Sequence, residues 1–326
     1  QGLTAPARPA HTPGMDWTSL PREHAACVLC GADAPVPLST RKGWPVSRCP
    51  CCGLIYLSER PSEAAVTEMY GRSYYEDGDV GYKGYRELFD RFRPVFGRIF
   101  DARAAELEAL VSGRRLLEIG CAYGFLLDHL GSRGWEVTGV EVSPLSSAAA
   151  RDRLGLDVRT GTLDTADLPP SSFDVILMLD VLEHLHRPYD ALRRAAALLA
   201  PGGRIVIQCP WELTHWEEVF EAVLRGRRTA TIEPDAIPAH LYFFGPATLD
   251  AVIERSGLVI TGRRSGNYGE IRRRASPPAI VTGSPAETAF RWLYYRAGVQ
   301  RMLYGLARRA GLGNGLTRYA AGRSPA

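Results

Sequence analysis

An α/β protein built on a doubly wound parallel sheet is predicted by strands alternating with helices from residue 114 onward, a glycine-bearing turn after the first strand, and a carboxylate about twenty positions later. Five cysteines within 26 residues near the start predict a second, smaller module in front of that sheet. With 326 residues, 45% of them hydrophobic, the chain is long enough for both, which excludes a disordered tail or a peptide hormone.

Lys and Arg total 39 against 36 for Asp and Glu, and a net charge of +3 is too small a bias for a nucleic-acid partner across the whole molecule. Only Lys42 and Lys83 are lysines, so nearly all the positive charge is arginine. No window approaches the roughly 18 consecutive apolar residues of a spanning helix, and the first residues lack a charged-then-apolar signal layout. A soluble, cytoplasmic protein without a transmembrane segment is expected. Residues 1–23, rich in Pro, Ala, Gly and Thr and starting at Gln1, read as a leader, with Met15 a candidate start.

The first folded element, residues 24–60, carries Cys27-Val-Leu-Cys30-Gly31 and Cys49-Pro-Cys51-Cys52-Gly53. Two C-x2-C pairs separated by 18 residues let two tight turns aim four thiolates at one tetrahedral Zn²⁺, and the glycine after each pair lets the turn close. So few residues cannot bury enough apolar surface to fold alone, and a metal crosslink substitutes for a core. Cys27, Cys30, Cys49 and Cys52 are the expected ligands of a structural zinc; one of Cys49, Cys51 and Cys52 is spare, and this choice keeps the x2 spacing and the following glycine. Two disulfides are the alternative in a secreted domain.

The sheet elements follow in order. Residues 114–119 are a short apolar strand, 125–130 have helical periodicity, 136–142 are a second strand and 173–179 a buried-type strand. Residues 191–199 read as a helix and 204–208 as the fifth strand. Ligands of such sheets bind at the carboxyl ends of the strands.

The first turn there is Glu118-Ile-Gly120-Cys-Ala122-Tyr123-Gly124, in which Gly120 and Gly124 let backbone approach a ligand over a helix start. Glu141, at the end of the second strand, can accept both hydroxyls of a ribose, so an adenosine ligand is implied. A dinucleotide site normally reads G-x-G-x-x-G, with its middle glycine leaving room for pyrophosphate. Here Tyr123 fills that room and Glu118 adds negative charge, which suits a cationic donor such as S-adenosylmethionine.

With these residues in place the chain resembles the class I S-adenosylmethionine-dependent methyltransferases over most of residues 24–262. LLEIGCAYG looks like their first motif, GVEVSP their second, GTLDTADLPPSSFDVILMLDVLEHLHRP their third and fourth, and LLAPGGRIVIQCP the helix-turn-strand that follows. CVLCG and RCPCCGLIYL, ahead of a tyrosine-rich SYYE segment, are similar to bacterial members with an N-terminal zinc ribbon, which commonly modify sugars, glycans or natural products. The resemblance implies a seven-stranded Rossmann-like sheet with an N-terminal zinc-binding module and a helical cap at 61–112, whose Tyr70, Tyr74, Tyr75, Tyr82 and Tyr85 fold over the cofactor or simply pack. It implies a core at 113–262 with an acceptor-pocket insertion at 211–245. It places Glu118, Gly120, Ala122, Tyr123, Gly124 and Asp180 along the donor, Glu141 on the ribose, Val142 over one adenine face, and Thr162, Leu163 or Asp164 at the adenine edge.

Methyl transfer is an in-line displacement, so the enzyme mostly aligns the reacting atoms, and a hydroxyl acceptor additionally needs a base. His184, in Asp180-Val-Leu-Glu183-His184 at the rim of the fourth strand, is the first candidate for that base; a structural role in the loop is the alternative. Asp180, Glu183 and His184 also resemble the D/E-x-x-E-H segment that some methyltransferases use with a divalent ion, which makes Mg²⁺ a further possible cofactor. The insertion carries Trp211, His215, Trp216, His240, Tyr242, Phe243 and Phe244; His240 is the alternate base or metal partner, or a helix-docking residue.

Residues 257–261 look like the sixth strand, 316–321 like an antiparallel seventh, and 286–310 like one or two helices, within a basic region at 263–326. Twelve arginines from Arg263 onward face only Glu270 and Glu287, so this region is either a surface for a phosphate-bearing acceptor or an anionic membrane, or an arginine-solvated helix packed on the core. The expected activity is S-adenosylmethionine-dependent methylation of a hydroxyl on a sugar, glycan or secondary metabolite. Sugar C-methyltransferases with zinc carry an additional C-terminal domain, which this shorter chain is expected to lack. C- or N-methylation, a nucleotide-sugar or NAD-linked oxidoreductase, and an inert binding module are the alternatives.

Overall fold

The computed structural model of the protein describes residues 18–72, 85–211, 237–266 and 315–323. Its centre is a seven-stranded sheet of β6 (Arg115–Ile119), β7 (Glu136–Glu141), β8 (Asp157–Thr160), β9 (Phe173–Leu179), β10 (Leu199–Pro210), β12 (Leu258–Gly266) and β13 (Gly315–Gly322), in the order β12-β13-β10-β9-β6-β7-β8. The five strands from β6 to β10 run parallel, while β13 lies antiparallel between β10 and β12. Chain order reverses between β6 and β9, so a crevice opens where their carboxyl ends part.

Side chains alternate between the two faces of each strand. Leu117, Ile119, Ile176, Met178, Ile205 and Ile207 enter one core, and Leu116, Val175, Leu177 and Val206 the other. Burial on both faces is what turns these strands into unbroken apolar runs in the sequence. Helices α2 (Tyr85–Leu110), α3 (Phe125–Gly131) and α4 (Pro144–Leu154) accompany the second core, while α5 (Pro188–Leu198) and α6 (Pro246–Arg255) accompany the first. Helix α4 is well delimited: Ser143 Oγ accepts from the Ser146 N–H at 3.4 Å, Pro144 opens the first turn, and Gly155 closes it in the left-handed region at φ 66°.

The cysteine region packs on the face with α5 and α6. Strands β2 (Val36–Arg41), β3 (Trp44–Arg48) and β4 (Ile55–Leu57) form an antiparallel sheet over the buried Trp44, Val46, Leu54 and Tyr56, and β1 (Arg22–His24) pairs with β5 (Glu59–Pro61) before α1 (Glu63–Arg72). The fourth strand of the first of these sheets comes from far along the chain: β11 (Tyr242–Phe243) pairs antiparallel with β4, Tyr242 opposite Tyr56 and Phe243 opposite Ile55.

The expected parallel sheet and its antiparallel closing strand are present, with shifted bounds. The leader boundary at residue 23 falls inside β1, because Glu23 accepts from Arg60 Nε at 2.8 Å across the β1–β5 pair. Helix α5 starts at Pro188 rather than at 191, since proline suits a first helical turn. Strand β10 starts at Leu199 and absorbs the expected turn as a register shift between Leu199 and Arg204. Strand β12 runs on to Gly266, past the expected limits at 261 and 262, because β13 pairs along all of it. The expectation for 211–245 as a loop is corrected at Tyr242–Phe243, which are sheet. Strand β8 and helix α4 had no assigned place in the sequence. Met15, the helices at 286–310, and Tyr74, Tyr75, Tyr82, His215 and Trp216 lie outside the described residues, as does most of the arginine-rich region. Among the described residues no helix is long and apolar enough to cross a membrane.

Candidate active site

The turn after β6 is shaped from within. Gly120 and Gly124 sit at φ 72° and 75°, where a side chain is strained, and a Cβ on Gly120 would come within 2.6 Å of Val181 Cγ2. Ala122, at φ 49°, is held there because its N–H donates to Glu141 Oε2 at 2.8 Å, while the Ser143 N–H donates to Oε1 at 2.8 Å. Glu141 is therefore a buried carboxylate fixed by two backbone donors, each of its oxygens keeping a lone pair for a ligand. The ring of Tyr123 is buried and stacks on Phe125 at 5.9 Å.

Glu118 is buried beside this turn, and among the described residues its Oε2 has no hydrogen-bond partner. Burial first, and then the Glu141 charge, push its pKa up to about 8 against the opposing pull of Arg103. A neutral acid poised this way is ready to ionise when a cation arrives. Val142 is half-buried beside Glu141, and the Gly161 N–H donates to the Glu141 carbonyl at 2.9 Å, which brings the 162–164 segment alongside. Within that segment Leu163 faces the core and Thr162 and Asp164 are exposed, with the Thr162 N–H already donating to Thr165 Oγ1 at 2.9 Å.

Across the crevice, β9 ends at Leu179 and is followed by Asp180, whose backbone sits at φ 56° with its N–H donating to the Gln208 carbonyl at 2.8 Å. A 3-10 turn at Leu182–His184 follows. His184 Nδ1 lies 2.8 Å from the Ala239 carbonyl, which can only accept, so Nδ1 carries the proton and Nε2 keeps its electron pair. The Tyr70 hydroxyl lies 2.9 Å from the same Nδ1. Burial, with His240 beside it, pushes the pKa of His184 down to about 3, so the ring is neutral. The two imidazoles meet edge to face at 4.6 Å.

Glu183 is 1% exposed beside Cys209, and among the described residues neither carboxylate oxygen has a hydrogen-bond partner of good geometry. Burial and then the Asp180 charge raise its pKa to about 8. Glu183, His184 and His240 each offer a ligand atom within 4.8 Å of the others. The structure thus groups His240, rather than Asp180, with Glu183 and His184, because the 3-10 turn and the strand after residue 239 converge while Asp180 turns back toward β10.

Residues 89–262 match the family model described as a methyltransferase domain. The chain belongs to that family. A ubiquinone biosynthesis O-methyltransferase of Bradyrhizobium sp. strain ORS 278 is 36% identical over 184 residues, covering 55% of this chain and 71% of that protein. Another of that description, from Rhodopseudomonas palustris strain HaA2, is 32% identical over 177 residues, covering 50% and 68%. A crystal structure of an S-adenosylmethionine-dependent methyltransferase from Mesorhizobium loti aligns at 19% identity and a TM-score of 0.44, covering 68% of this chain and 99% of that one. The protein is an S-adenosylmethionine-dependent methyltransferase, which sets aside the oxidoreductase and the inert binding module.

The methyltransferase also carries a compact cysteine cluster. Cys27, Cys30, Cys49 and Cys52 place their sulfurs within 4.8 Å of one another, with Sγ–Sγ distances of 3.4 Å for Cys27–Cys52 and Cys30–Cys49. Tetrahedral zinc–thiolate bonds would space the sulfurs by roughly 3.8 Å, so the four can hold a metal. Gly31 and Gly53, at φ 74° and 76°, close the two turns by donating to Cys27 and Cys49 carbonyls. Cys51 is exposed and outside the cluster.

One residue of the methyltransferase that sequence reasoning missed is Arg103 on α2. Its Nη2 donates to Gln208 Oε1 at 2.7 Å and its Nη1 to Glu106 Oε1 at 2.9 Å, and its charge reaches Glu118. No local pattern marks it among the arginines of a polar helix; only packing of α2 on the sheet brings it to the crevice.

Proposed function

We propose that this methyltransferase methylates a hydroxyl group of a small molecule, with His184 as the general base. S-adenosylmethionine, when bound, supplies a methyl carbon activated by a sulfonium. The donor side of the crevice fits it: Glu118 and Glu141 are the carboxylates for its ammonium and ribose, Gly120, Ala122 and Gly124 give backbone room, Tyr123 denies space to a diphosphate, Val142 and the 162–164 segment border the adenine, and Arg103 suits the carboxylate. Asp180 stands where the donor and acceptor sides meet. The donor so held would supply its methyl group to the acceptor oxygen and keep the bonding pair on its sulfur, and His184 Nε2 would take the hydroxyl proton.

The observation that carries the assignment of His184 as base is the His184–Ala239 hydrogen bond, which fixes the tautomer with the proton on Nδ1 and leaves Nε2 as the ring's proton acceptor. The relatives' printed activity supports oxygen over carbon or nitrogen; the earlier preference for a sugar, glycan or secondary metabolite rests on the ribbon-bearing resemblance alone. Glu183, His184 and His240 also offer one carboxylate and two imidazoles, a donor set that suits a divalent transition-metal ion rather than Mg²⁺, which prefers oxygen ligands; such an ion would take His184 Nε2 and so is an alternative to that nitrogen acting as the base. Such an ion would supply positive charge that favours the ionised acceptor. The four cysteines are read as a structural zinc site.

The test is to incubate the enzyme with methyl-labelled S-adenosylmethionine and a metabolite extract from a strain lacking the gene. A labelled product in which the methyl is bonded to oxygen is expected. Label on carbon or nitrogen overturns the assignment.

A further inference from the structure

We infer that the cysteine module is a positioning element of the acceptor side, holding the segment with His240 against the His184 turn by taking it in as a strand of its own sheet. This rests on the reading of the four cysteines as a metal site. The sheet holds β11 through the pairs Tyr242–Tyr56 and Phe243–Ile55. Just before that strand, the Leu57 N–H of the module donates to the Leu241 carbonyl at 3.0 Å, and the Leu241 N–H donates to the Glu183 carbonyl at 2.9 Å. His184 Nδ1 donates to the Ala239 carbonyl one residue before His240. The stretch from Ala239 to Phe243 is therefore hung between the module on one side and the base-bearing turn on the other.

A half-buried polar chain reinforces the same link. Tyr242 Oη accepts from Arg60 Nη1 at 2.7 Å and donates to the His186 carbonyl at 3.3 Å. Arg60 in turn donates to Glu23 at 2.8 Å, and His186 Nε2 donates to the Pro61 carbonyl at 2.8 Å. The cysteine turns reach this strand directly, since the Cys49 N–H donates to the Leu54 carbonyl at 2.8 Å, immediately ahead of β4. Cys27, Leu29, Trp44 and Tyr56 share one core with Tyr242 and Phe244. A metal that orders the turns would thereby order the strand that places His240.

The donor side is tied differently. Gly120 and Cys121 donate to the Val140 carbonyl, and Ala122 donates to Glu141, so that turn is held by its own sheet. Losing the module should then disturb the histidines and spare donor binding. Tyr242 is the positioning residue to test, because Tyr242→Phe keeps the ring and removes both hydroxyl bonds.

The test has three readouts on the full chain: released metal with a zinc-sensitive dye, S-adenosylhomocysteine affinity by calorimetry, and hydrogen exchange with histidine ring NMR. Stripping the metal with a chelator should speed amide exchange across 239–243 by about tenfold or more while exchange across 115–119 and 136–141 holds. Tyr242→Phe should shift the His184 and His240 ring signals while S-adenosylhomocysteine affinity stays within about twofold. Unchanged ring signals in Tyr242→Phe, or donor affinity falling in step with exchange at 239–243, overturns the positioning role. Protein that carries no metal refutes the metal site alone, and Tyr242→Phe then still decides whether the strand clamp positions the histidines.

Discussion

The two sides of the crevice are built on opposite plans. The donor side is one contiguous turn between β6 and α3 plus the end of the adjacent strand β7, and its key carboxylate, Glu141, is satisfied by two backbone N–H groups. The acceptor side draws His184 from the turn after β9, His240 from a segment more than fifty residues later, and its support from the cysteine module and Tyr70. It also leaves the Glu183 carboxylate buried beside Cys209, with no hydrogen-bond partner of good geometry among the described residues. On the proposed assignment, the part that binds the donor is prefabricated locally, while the part that would suit a particular acceptor is assembled from distant pieces.

The sharpest way to break this comparison is His184→Ala. Loss of a general base should cut turnover by on the order of 10²–10⁴. S-adenosylhomocysteine affinity, measured by calorimetry, should stay within about threefold if the two sides are independent. A parallel fall in both quantities would mean that the turn after β9 also shapes the donor site.

The converse variant is Glu141→Ala. It removes a carboxylate with two charge-assisted backbone bonds and leaves the Ala122 and Ser143 N–H groups without their acceptor. Donor affinity should fall by about 100-fold. Hydrogen exchange at 239–243 should not change, and faster exchange there would join the two sides.

Gly139→Ala probes the floor beneath the donor turn. An added Cβ would meet Cys121 Sγ at 2.6 Å and Leu127 Cδ1 at 2.9 Å, inside a core that has no slack. Overpacking of this kind costs about 1–3 kcal/mol, and a fall of several degrees in Tm is expected by thermal unfolding. The histidine ring signals should be unmoved.

The smallest effect is a pH dependence. The Glu118 carboxyl is raised to about 8 in the ligand-free protein, above its unfolded value of 4.5. The neutral form is thus the favoured one: its contribution to stability is complete below the unfolded value and is lost as pH rises through about 8. The ammonium of the donor favours the ionised form instead. Affinity for S-adenosylhomocysteine should rise by about tenfold between pH 6 and 7 with proton release, and flatten as pH passes about 8. Glu118→Gln should flatten that rise, and a retained slope would place the titrating group elsewhere.

Much of the donor half was legible because its information is local. Gly120, Gly124 and Glu141 are read from their spacing, since a βα turn and a neighbouring strand bring residues about twenty apart together in any such sheet. The apolar runs at 173–179 and 204–208 gave their strands for a similar reason: burial on both faces leaves no ambiguity of period. Strand β8 was illegible because Asp157 to Thr160 is short and mostly exposed at the edge of the sheet. Arg103 was illegible because α2 carries several arginines around its circumference, and their order does not say which one meets Glu118.

Amino-acid order by itself determined the parallel sheet, the donor turn and the existence of a cysteine cluster, because each depends on spacing within one turn, one βα unit or one pair of hairpins, while the structure decided that Cys51 is the spare cysteine. Only the tertiary structure decided that His240 rather than Asp180 joins Glu183 and His184, and that Tyr242–Phe243 completes the cysteine module's sheet. Those contacts join segments separated by scores of residues, and nothing in local propensity or periodicity encodes which distant backbone will supply the missing partner of a strand edge.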